Sequence, residues 1–358
     1  MRDDMSILDQ PDFCASIDPQ SMKSLLESFP EQVESAAQAG RSVSLPVPKG
    51  IKLIVVTGLG GSAMGGDLMR SIVESQLIYP VVVNRNYDLP GFVDESTLVF
   101  ACSYSGNTEE TLSAYEQARR AKASVVCITS GGKLEAMATA NAHPLLRLPG
   151  GLPPRAALGH SLLALLAAMQ AMQIMPDMSE SIQETIELLK VLRDRYGASR
   201  PESSNLAKKL ASSLFGKLVT IYGSNGIMES GAYRWRSQIA ENAKNLASHH
   251  VLPEMNHNEL VGWLYPQEVL RRIGVVMLRD KGDHPQIQKR FDLTRDLIAA
   301  KAGTVHEVWS EGTSLLARVL SIIYLGDFVS LYLAYLNNTD PTPVAAIDYL
   351  KKNLSTTV

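Results

Sequence analysis

Short apolar runs alternate with stretches of helical periodicity from residue 51 onward. The helical stretches include Asp67–Gln76 and Glu109–Ala121. The apolar runs in the first half are Lys52–Thr57, Tyr79–Asn84, Thr97–Cys102 and Ser124–Thr129. These runs are largely apolar rather than alternating, which is typical of strands covered on both faces. Strands that alternate with helices predict β-α-β units and a parallel sheet.

A break rich in Pro and Gly at 149–154 ends this block, and helices are predicted from Ala156 to about Arg195. The strand pattern then resumes at Lys217–Tyr222, Ile273–Arg279 and Thr304–Trp309. Segments 55–66 and 219–231 each place an apolar strand before a Gly-Ser turn and a helix, which indicates two copies of one α/β domain. We predict domains at 1–155 and 205–358, connecting helices at 156–204, and a short helix within Pro341–Leu354.

Composition and charge exclude several functional classes. The 358 residues suit two domains, and 34 basic against 37 acidic residues give a net charge of −3, which argues against a nucleic-acid partner. The apolar stretch Leu162–Met172 is too short to span a bilayer, and Val319–Leu336 contains Asp327, so both are predicted to be buried helices. The first residues lack the apolar core of a signal peptide, and the three cysteines form no close pair. We expect a cytoplasmic protein with no membrane partner.

Two loops rich in Gly, Ser and Thr follow predicted strands of the first block. Thr57–Gly66 reads TGLGGSAMGG and follows the first strand, and Ser103–Thr108 reads SYSGNT and follows the third. In an open parallel sheet, ligands bind beyond the carboxyl ends of the strands, where these loops lie. Hydroxyl groups and free backbone N–H groups at a helix N-terminus suit a dianionic phosphate.

Three other interpretations of these loops compete with phosphate binding. A Walker loop needs Gly-Lys followed by Ser or Thr, which is absent. A dinucleotide fingerprint drawn through Gly58, Gly60 and Gly61 has imperfect spacing, and Asn84 and Arg85 follow the second strand where an acidic residue is expected. The Ser and Gly residues are also common in tight turns and helix caps that bind nothing. Two such loops in one sheet favour phosphate binding over that last interpretation.

These motifs resemble the sugar isomerase (SIS) domain family. The GxGGSxxGG turn and the SxSGNTxET segment carry the resemblance, together with the two tandem α/β units. The segments PRAALG at 154–159, QIAENAK at 238–244 and PEMNHNE at 253–259 resemble the bifunctional phosphoglucose/phosphomannose isomerases in particular. The resemblance covers roughly residues 20–355. It implies an α/β fold of two tandem SIS domains, which are flavodoxin-like αβα sandwiches with parallel sheets, plus a C-terminal helix.

The resemblance also implies an activity. An aldose–ketose isomerase of this family interconverts glucose 6-phosphate, and mannose 6-phosphate, with fructose 6-phosphate through a cis-enediolate and without a cofactor. The proton transfer between C1 and C2 requires a carboxylate base, and ring opening requires an acid/base such as His. The enediolate requires a fixed cation or hydrogen-bond donors aimed at the developing charge.

Glu241 and His257 are the candidates for proton transfer. Glu241 lies on a predicted helix from Glu229 to about Leu246, and the resemblance makes it the C1/C2 base. His257 lies in a loop after Pro253, and the resemblance implies that it assists ring opening from the neighbouring subunit of a homodimer. The spacing alone favours an ordinary surface carboxylate and a satisfied polar histidine, and only the resemblance points to catalytic roles.

Arg155 and Lys351 are the candidate cations. The resemblance gives Arg155, which follows the rigid Gly-Gly-Leu-Pro-Pro segment, the role of stabilising the enediolate; a phosphate or carboxylate clamp elsewhere is the alternative. The family places a Lys of the last helix beside the ring oxygen, and we select Lys351 over Lys352 because it follows Leu350 in the helical pattern. A solvated helix face is the alternative for this pair.

The remaining candidates bind the substrate itself. By resemblance the backbone around Gly60 and Gly61 lies near the sugar. The side chains expected to hold the phosphate are Ser62, Ser103, Ser105 and Thr108.

A metal site and two other protein classes are the alternatives to this activity. The cluster His249, His250, Glu254, His257 and Glu259 matches no HExxH-like ligand template, and Pro253 breaks any helix that would align it, so we predict no metal. A sugar-phosphate-sensing regulator built from SIS domains is the alternative function. It would keep the phosphate loops without needing all four candidate catalytic residues, and the first 40 residues or so contain no basic DNA-binding helix pair. The imperfect fingerprint disfavours a nicotinamide dehydrogenase.

Overall fold

The computed structural model describes residues 6–354, which divide into two compact units. The first unit contains residues 28–187 and 312–317. The second unit contains residues 6–27, 188–311 and 318–354. The domain limits proposed from the sequence, 1–155, 156–204 and 205–358, stay a prediction.

The first unit is built on a five-stranded parallel sheet. Its strands are β1 (Leu53–Thr57), β2 (Val81–Asn84), β3 (Thr97–Cys102), β4 (Ser124–Thr129) and β5 (Leu145–Arg147). Their order, β2-β1-β3-β4-β5, is that of flavodoxin-like folds. In the register of the sheet, Val56 lies opposite Val83 on one side and Phe100 on the other. The four predicted strands are confirmed; β5 is missing from the predicted set because its three residues are too few to form a recognisable apolar run.

The second unit repeats this arrangement with four parallel strands. They are β6 (Leu218–Ser224), β7 (Ala247–Leu252), β8 (Ile273–Arg279) and β9 (Thr304–Trp309), in the order β7-β6-β8-β9. That is the order of the first four strands of the other unit, so the prediction of two copies of one fold is confirmed. Strand β7 is missing from the predicted set because it lies at a sheet edge and carries Ser248, His249 and His250 in its middle.

Helices connect and cover both sheets. In chain order they are α1 (Pro11–Ile17), α2 (Met22–Glu27), α3 (Phe29–Gly40), α4 (Gly60–Val73), α5 (Glu109–Arg120), α6 (Gly132–Ala140), α7 (Leu158–Ala171), α8 (Ser179–Tyr196), α9 (Leu206–Leu214), α10 (Ile227–Ala243), α11 (Glu259–Gly262), α12 (Gln267–Leu270), α13 (Pro285–Ile298), α14 (Leu315–Leu336) and α15 (Ala345–Leu354). Short 3₁₀ turns occur at Ile7–Asp9, Pro154–Ala156, Glu202–Ser204 and Glu254–His257.

The inner strands of both sheets are almost entirely buried, as is usual in parallel sheets. Every residue of β3 is buried, and Val55, Val99 and Tyr115 of α5 share one core cluster in the first unit. In the second unit Phe291 of α13 packs with residues of β6 and β8. Apolar runs without alternation are therefore explained by helices that cover each sheet.

Helix α4 corrects the prediction of a long turn after β1. The sequence places a turn over Thr57–Gly66 and a helix over Asp67–Gln76, but the helix begins at Gly60 and ends at Val73. A Cβ at Gly66 would lie 2.8 Å from Cγ1 of Val56. A Cβ at Gly65 would touch Ser161 Cβ at 3.4 Å. These glycines lie inside a helix because the helix packs closely on the sheet and on α7, not because the chain turns there.

Helix α14 is the most apolar long element among residues 6–354. It is the one helix there that is long and apolar enough to cross a membrane, and 94% of its most apolar 18-residue window is buried. This degree of burial is typical of a core helix. The sequence predicted a buried helix over Val319–Leu336, which agrees with this observation. Its carboxylate, Asp327, pairs with Arg234 of α10, and both side chains are only 4% exposed.

Candidate active site

The two Gly/Ser-rich loops lie side by side at the carboxyl edge of the first sheet. They follow β1 and β3, which are neighbouring strands with Thr57 paired to Ala101. A Cβ at Gly58 would lie 2.7 Å from the carbonyl oxygen of Cys102, so only glycine allows the loops to approach this closely. The first segment turns at Gly58 and Leu59 and continues as the first turns of α4, and the second leads directly into α5. Two helix N-termini therefore point at one edge, which is where an anion is expected to bind.

Buried hydroxyl groups connect these loops. Ser62, in the first turn of α4, accepts a hydrogen bond from the backbone N–H of Tyr104 at 3.1 Å. The hydroxyls of Ser103 and Thr108 lie 2.9 Å apart. Thr108 is the N-cap of α5, yet its side chain makes no capping hydrogen bond to that helix. The first N–H groups of α5 are thus not capped by Thr108, which leaves them suited to an anionic ligand.

The tip of the second loop is fixed by glycine. Gly106 has φ +68°, and a Cβ there would lie only 1.7 Å from the carbonyl oxygen of Gly131. The carbonyl of Gly106 also accepts a hydrogen bond from Leu134 N–H at 2.9 Å. The neighbouring Ser105 is exposed, and its hydroxyl accepts a hydrogen bond from Asn107 N–H at 3.3 Å. This loop therefore presents the Ser105 hydroxyl to solvent from a rigid backbone.

Arg155 lies next to the first loop. It belongs to the 3₁₀ turn Pro154–Ala156 and is buried, with 5% exposure. A Cβ at Gly61 would lie 2.7 Å from the carbonyl oxygen of Pro154 and 3.7 Å from Cα of Arg155. The backbone that carries the guanidinium thus packs directly on the first turn of α4. Gly60, beside it, has φ +53° and open space around it.

Gln32 of α3 brackets the same turn and is absent from the predicted site. Its side-chain amide donates to the carbonyl of Ala156 at 2.7 Å, and its amide oxygen accepts from Gly159 N–H at 2.8 Å. These two bonds hold the backbone on the C-terminal side of Arg155. Gln32 lies more than 120 residues earlier in the chain and has no motif around it, so no sequence signal indicates this role.

The end of strand β2 carries a cation rather than an acid. Arg85 forms an ion pair with Asp67 of α4. Burial raises the pKa of Asp67, and the neighbouring Arg85 opposes that rise. A dinucleotide-binding fold places a ribose-binding carboxylate at the end of this strand, but here the position is occupied by Arg85, which is paired with Asp67. This agrees with the interpretation of the loops as a phosphate site.

Glu241 lies in the second unit, in the last turn of α10. It is partly buried, and the adjacent Asn242 is fully buried and donates to the Ser330 hydroxyl at 2.9 Å. The Arg234 guanidinium donates to both carboxylate oxygens of Asp327, at 3.1 and 2.9 Å. Burial raises the pKa of Asp327, and Arg234 opposes that rise. Helix α10, which carries Glu241, is therefore fixed to α14 by buried polar contacts on either side of the glutamate.

The end of α10 is also tied to the segment that precedes α15. Lys244, in the left-handed conformation with φ +53°, donates from Nζ to the carbonyls of Glu241 at 2.6 Å and Pro341 at 3.0 Å. Asn337 donates to the carbonyl of Ala243 at 2.9 Å. The backbone of Glu241 is thereby held to the chain that leads to the last helix.

His257 and Lys351 lie on two further elements of the second unit. His257 ends the 3₁₀ turn Glu254–His257 and is exposed. Lys351 and Lys352 lie in α15, on which no residue is buried. The choice of Lys351 over Lys352 stays a prediction, since both side chains are exposed.

The histidine and glutamate cluster around His257 is organised by pairing. His250 Nδ1 lies 2.9 Å from a carboxylate oxygen of Glu259, and the other oxygen accepts from the Tyr222 hydroxyl at 2.6 Å. His249 lies against the Tyr233 ring, and its burial, with the charge of Arg236 nearby, lowers its pKa to about 4. Within residues 6–354, no group of three or more His, Cys, Asp or Glu side chains is placed to hold a metal ion.

Of the predicted site residues, the first unit brings together those of the phosphate loops and Arg155, while the second unit carries Glu241, His257 and Lys351. Tyr104 and Gln32, which connect the loops and the Arg155 turn, are not among the predicted residues. Tyr104 lies within SYSGNT, so its position was visible in the sequence, but its contacts were not.

Comparison with known proteins identifies the family. A model described as "SIS domain" matches residues 50–148, and one described as "Bacterial phospho-glucose isomerase C-terminal SIS domain" matches residues 203–354. A Caldicellulosiruptor bescii protein named bifunctional phosphoglucose/phosphomannose isomerase is 46% identical over 329 residues, which are 92% of this chain and 97% of that protein. An Aquifex aeolicus protein of the same name is 35% identical over 305 residues, 85% of this chain and 90% of that protein.

A solved structure shows the same fold. A glucose-6-phosphate isomerase like protein from Thermus thermophilus superposes with a TM-score of 0.63 at 20% identity, covering 97% of this chain and 99% of that one. The predicted fold of two SIS domains is therefore confirmed, by the two family models and by this structural likeness. Together with the long matches at 46% and 35% identity, these findings show that the chain belongs to the bifunctional phosphoglucose/phosphomannose isomerase family.

Proposed function

We propose that this protein is an aldose–ketose isomerase that interconverts glucose 6-phosphate and mannose 6-phosphate with fructose 6-phosphate through a cis-enediolate. The observation that carries the proposal is the 46% identity over 97% of a relative named for both activities. The paired loops at the edge of the first sheet support it, because their hydroxyl groups and the adjoining helix N-termini suit a phosphate group. The reaction belongs to glycolysis and gluconeogenesis, and we place it in the cytoplasm.

In this proposal the phosphate is bound by the first unit. The hydroxyls of Ser62, Ser103, Ser105 and Thr108 and the N-terminus of α5 bind the phosphate oxygens, and the backbone at Gly60 and Gly61 lies along the sugar. A net charge of −3 does not oppose this binding, because local dipoles and hydroxyls attract the anion. The buried Ser62 and Ser103, both less than 10% exposed, support the assignment since their hydroxyls are already oriented by neighbours.

Arg155 and Glu241 carry the chemistry. Arg155 lies in a buried turn, and in this proposal its cationic guanidinium stabilises the negative charge that develops on the enediolate. Glu241 removes the proton from C2 of the aldose and returns it to C1, while the proton of the C2 hydroxyl passes to the C1 oxygen, so that C2 becomes the carbonyl. The reverse reaction uses the same carboxylate. Loss of C2 configuration in the enediolate allows both the glucose and the mannose phosphates to give one ketose.

His257 and Lys351 open the sugar ring in this scheme. We propose a homodimer in which His257 reaches the partner's substrate, which accords with the exposure of His257 on its own chain. A variant that is monomeric by light scattering is expected to be inactive, and an active monomer would contradict the shared site. Lys351→Met is expected to lower kcat while the matched Lys352→Met leaves it within about twofold; the reverse result would show that the other lysine faces the substrate.

One experiment tests the reaction itself. Purified protein is incubated with glucose 6-phosphate or mannose 6-phosphate in EDTA and without nucleotide, and fructose 6-phosphate is measured. Product is expected from both substrates. Formation from glucose 6-phosphate alone would refute the dual specificity, and no product from either would refute the isomerase.

A further inference from the structure

Tyr104 connects several loops at the carboxyl edge of the first sheet. It lies between the predicted phosphate ligands Ser103 and Ser105 and is 6% exposed. Its N–H donates to Ser62 Oγ, in the helix after β1, at 3.1 Å. Its carbonyl accepts from both the N–H and the hydroxyl of Ser130, in the loop after β4, at 3.0 and 2.6 Å. One residue thus fixes the relative positions of three loops.

The side chain of Tyr104 extends this connection to a fourth segment. Its hydroxyl donates to the carbonyl of Pro149 at 2.8 Å and accepts from Leu152 N–H at 3.1 Å. These two contacts bracket Gly150 and Gly151, neither of which has an atom within 4 Å of where a Cβ would be. A Gly-Gly pair has many accessible conformations, so a contact at each end is needed to hold it in one of them.

The bracketed segment leads directly to Arg155. Leu152 is followed by two prolines, and Arg155 comes next in its buried turn. Because proline fixes φ, a displacement at Leu152 is transmitted along Pro153 and Pro154 rather than absorbed. The hydroxyl of Tyr104 is therefore joined to Arg155 by a short and stiff length of chain.

We propose that Tyr104 is a positioning residue that sets Arg155 relative to the phosphate loops, so that a substrate bound by its phosphate meets the guanidinium in the correct place. This inference rests on the proposed function of Arg155 as the enediolate stabiliser. Burial raises the pKa of the Tyr104 hydroxyl, so it stays protonated and able to donate at neutral pH.

The variant Tyr104→Phe removes both hydroxyl contacts and keeps the ring. Tyr115→Phe is a matched control in the same unit: Tyr115 is fully buried, and its hydroxyl donates to the carbonyl of Met137 at 3.1 Å and contacts His143 at 2.9 Å. We expect kcat for fructose 6-phosphate to fall roughly 10- to 100-fold in Tyr104→Phe, since a displacement of about 1 Å costs up to that much. The control is expected to keep kcat within about twofold at a comparable loss of stability.

Binding measurements separate positioning from a general loosening of the loops. Calorimetry with inorganic phosphate measures the affinity of the phosphate loops alone. The carboxylate of 5-phospho-D-arabinonate resembles the enediolate, so the affinity for this ligand also depends on its contact with Arg155. Tyr104→Phe is expected to weaken the arabinonate about tenfold or more and to change phosphate affinity less than about twofold. Equal weakening of both ligands, or of neither, would overturn the proposal.

A double-mutant cycle with Arg155→Met completes the test. If Tyr104 acts through Arg155, Tyr104→Phe in the Arg155→Met background has little further effect on kcat or on arabinonate affinity. Independent, multiplicative losses would overturn the proposal. Absence of turnover in the unmodified protein would refute the proposed function instead, and the two ligand affinities would still decide whether Tyr104 positions Arg155.

Discussion

Replacing Gly61 with Ala tests the contact between α4 and the Arg155 turn. The new Cβ would lie 2.7 Å from the carbonyl oxygen of Pro154 and 3.3 Å from its carbonyl carbon. Relaxed contacts between such atoms lie near 3.5 Å, so the two backbones must separate by about 0.5–1 Å. The obstacle is backbone rather than the end of a flexible side chain, and the turn that carries Arg155 must therefore move.

The displacement fixes the expected size of the effect. A misplacement approaching 1 Å costs up to about 100-fold in rate, so we expect kcat of Gly61→Ala to fall roughly 10- to 100-fold. Overpacking of this kind also destabilises the fold by about 1–3 kcal/mol. The rate is measured as conversion of fructose 6-phosphate to glucose 6-phosphate, coupled to a dehydrogenase, and stability is measured by urea unfolding.

Gly66→Ala is the matched control on the same helix. Its Cβ would lie 2.8 Å from Cγ1 of Val56, so the clash is of similar size but meets a core side chain away from Arg155. We expect a comparable loss of stability with kcat within about twofold of the unmodified protein. The reasoning is refuted if Gly61→Ala and Gly66→Ala have the same kcat.

The remaining predictions concern the base, the buried ion pair and acid stability. Glu241→Gln is expected to lower kcat about 10²–10⁴-fold in steady-state assays, and near-normal turnover would show that another residue is the base. Asp327→Asn leaves the buried Arg234 guanidinium without its charge partner and is expected to cost about 3–5 kcal/mol in urea unfolding; a cost below about 1 kcal/mol would contradict the burial of the pair. The pKa of His249 is about 4 when folded against an ordinary 6.5, so the unfolded chain binds more protons between these values, and the unfolding free energy falls as pH drops through that window. His249→Gln is expected to flatten that pH dependence, and an unchanged slope would contradict it.

The fold was largely predictable because the inner strands of both sheets are buried on both faces. Runs such as Thr97–Cys102 are apolar throughout and need no tertiary information to be recognised as strands. Strand β7 was not predictable in this way, because an edge strand tolerates Ser248 and two histidines. The start of α4 was not predictable, because its glycines indicate a turn when the sequence is considered alone. In the folded chain they allow close packing on Val56 and Ser161.

The candidate site was predictable only where its residues are local in sequence. Ser103 and Thr108 lie five residues apart in one loop, and their hydroxyls do meet. The amide of Gln32 reaches Ala156 across 124 residues, and the Tyr104 hydroxyl reaches Leu152 across 48. Contacts at such separations are set by how elements pack, which hydrophobic periodicity does not encode.

Helix α14 has a consequence for synthesis of the chain. It begins at Leu315. Its Asp327 pairs with Arg234, which lies 93 residues before Asp327 in the chain. A growing chain therefore exposes the face of α10 that contacts this helix, including Trp235, whose indole N–H donates to the carbonyl of Ile322, well before α14 has left the ribosome. Until then this unit has an open core, and α14 itself emerges as a long apolar segment of the kind that chaperones bind and that aggregates when left uncovered. The packing of α10 in the second unit is thus completed only after α14 has been synthesised, when Arg234 and Asp327 can form their buried ion pair.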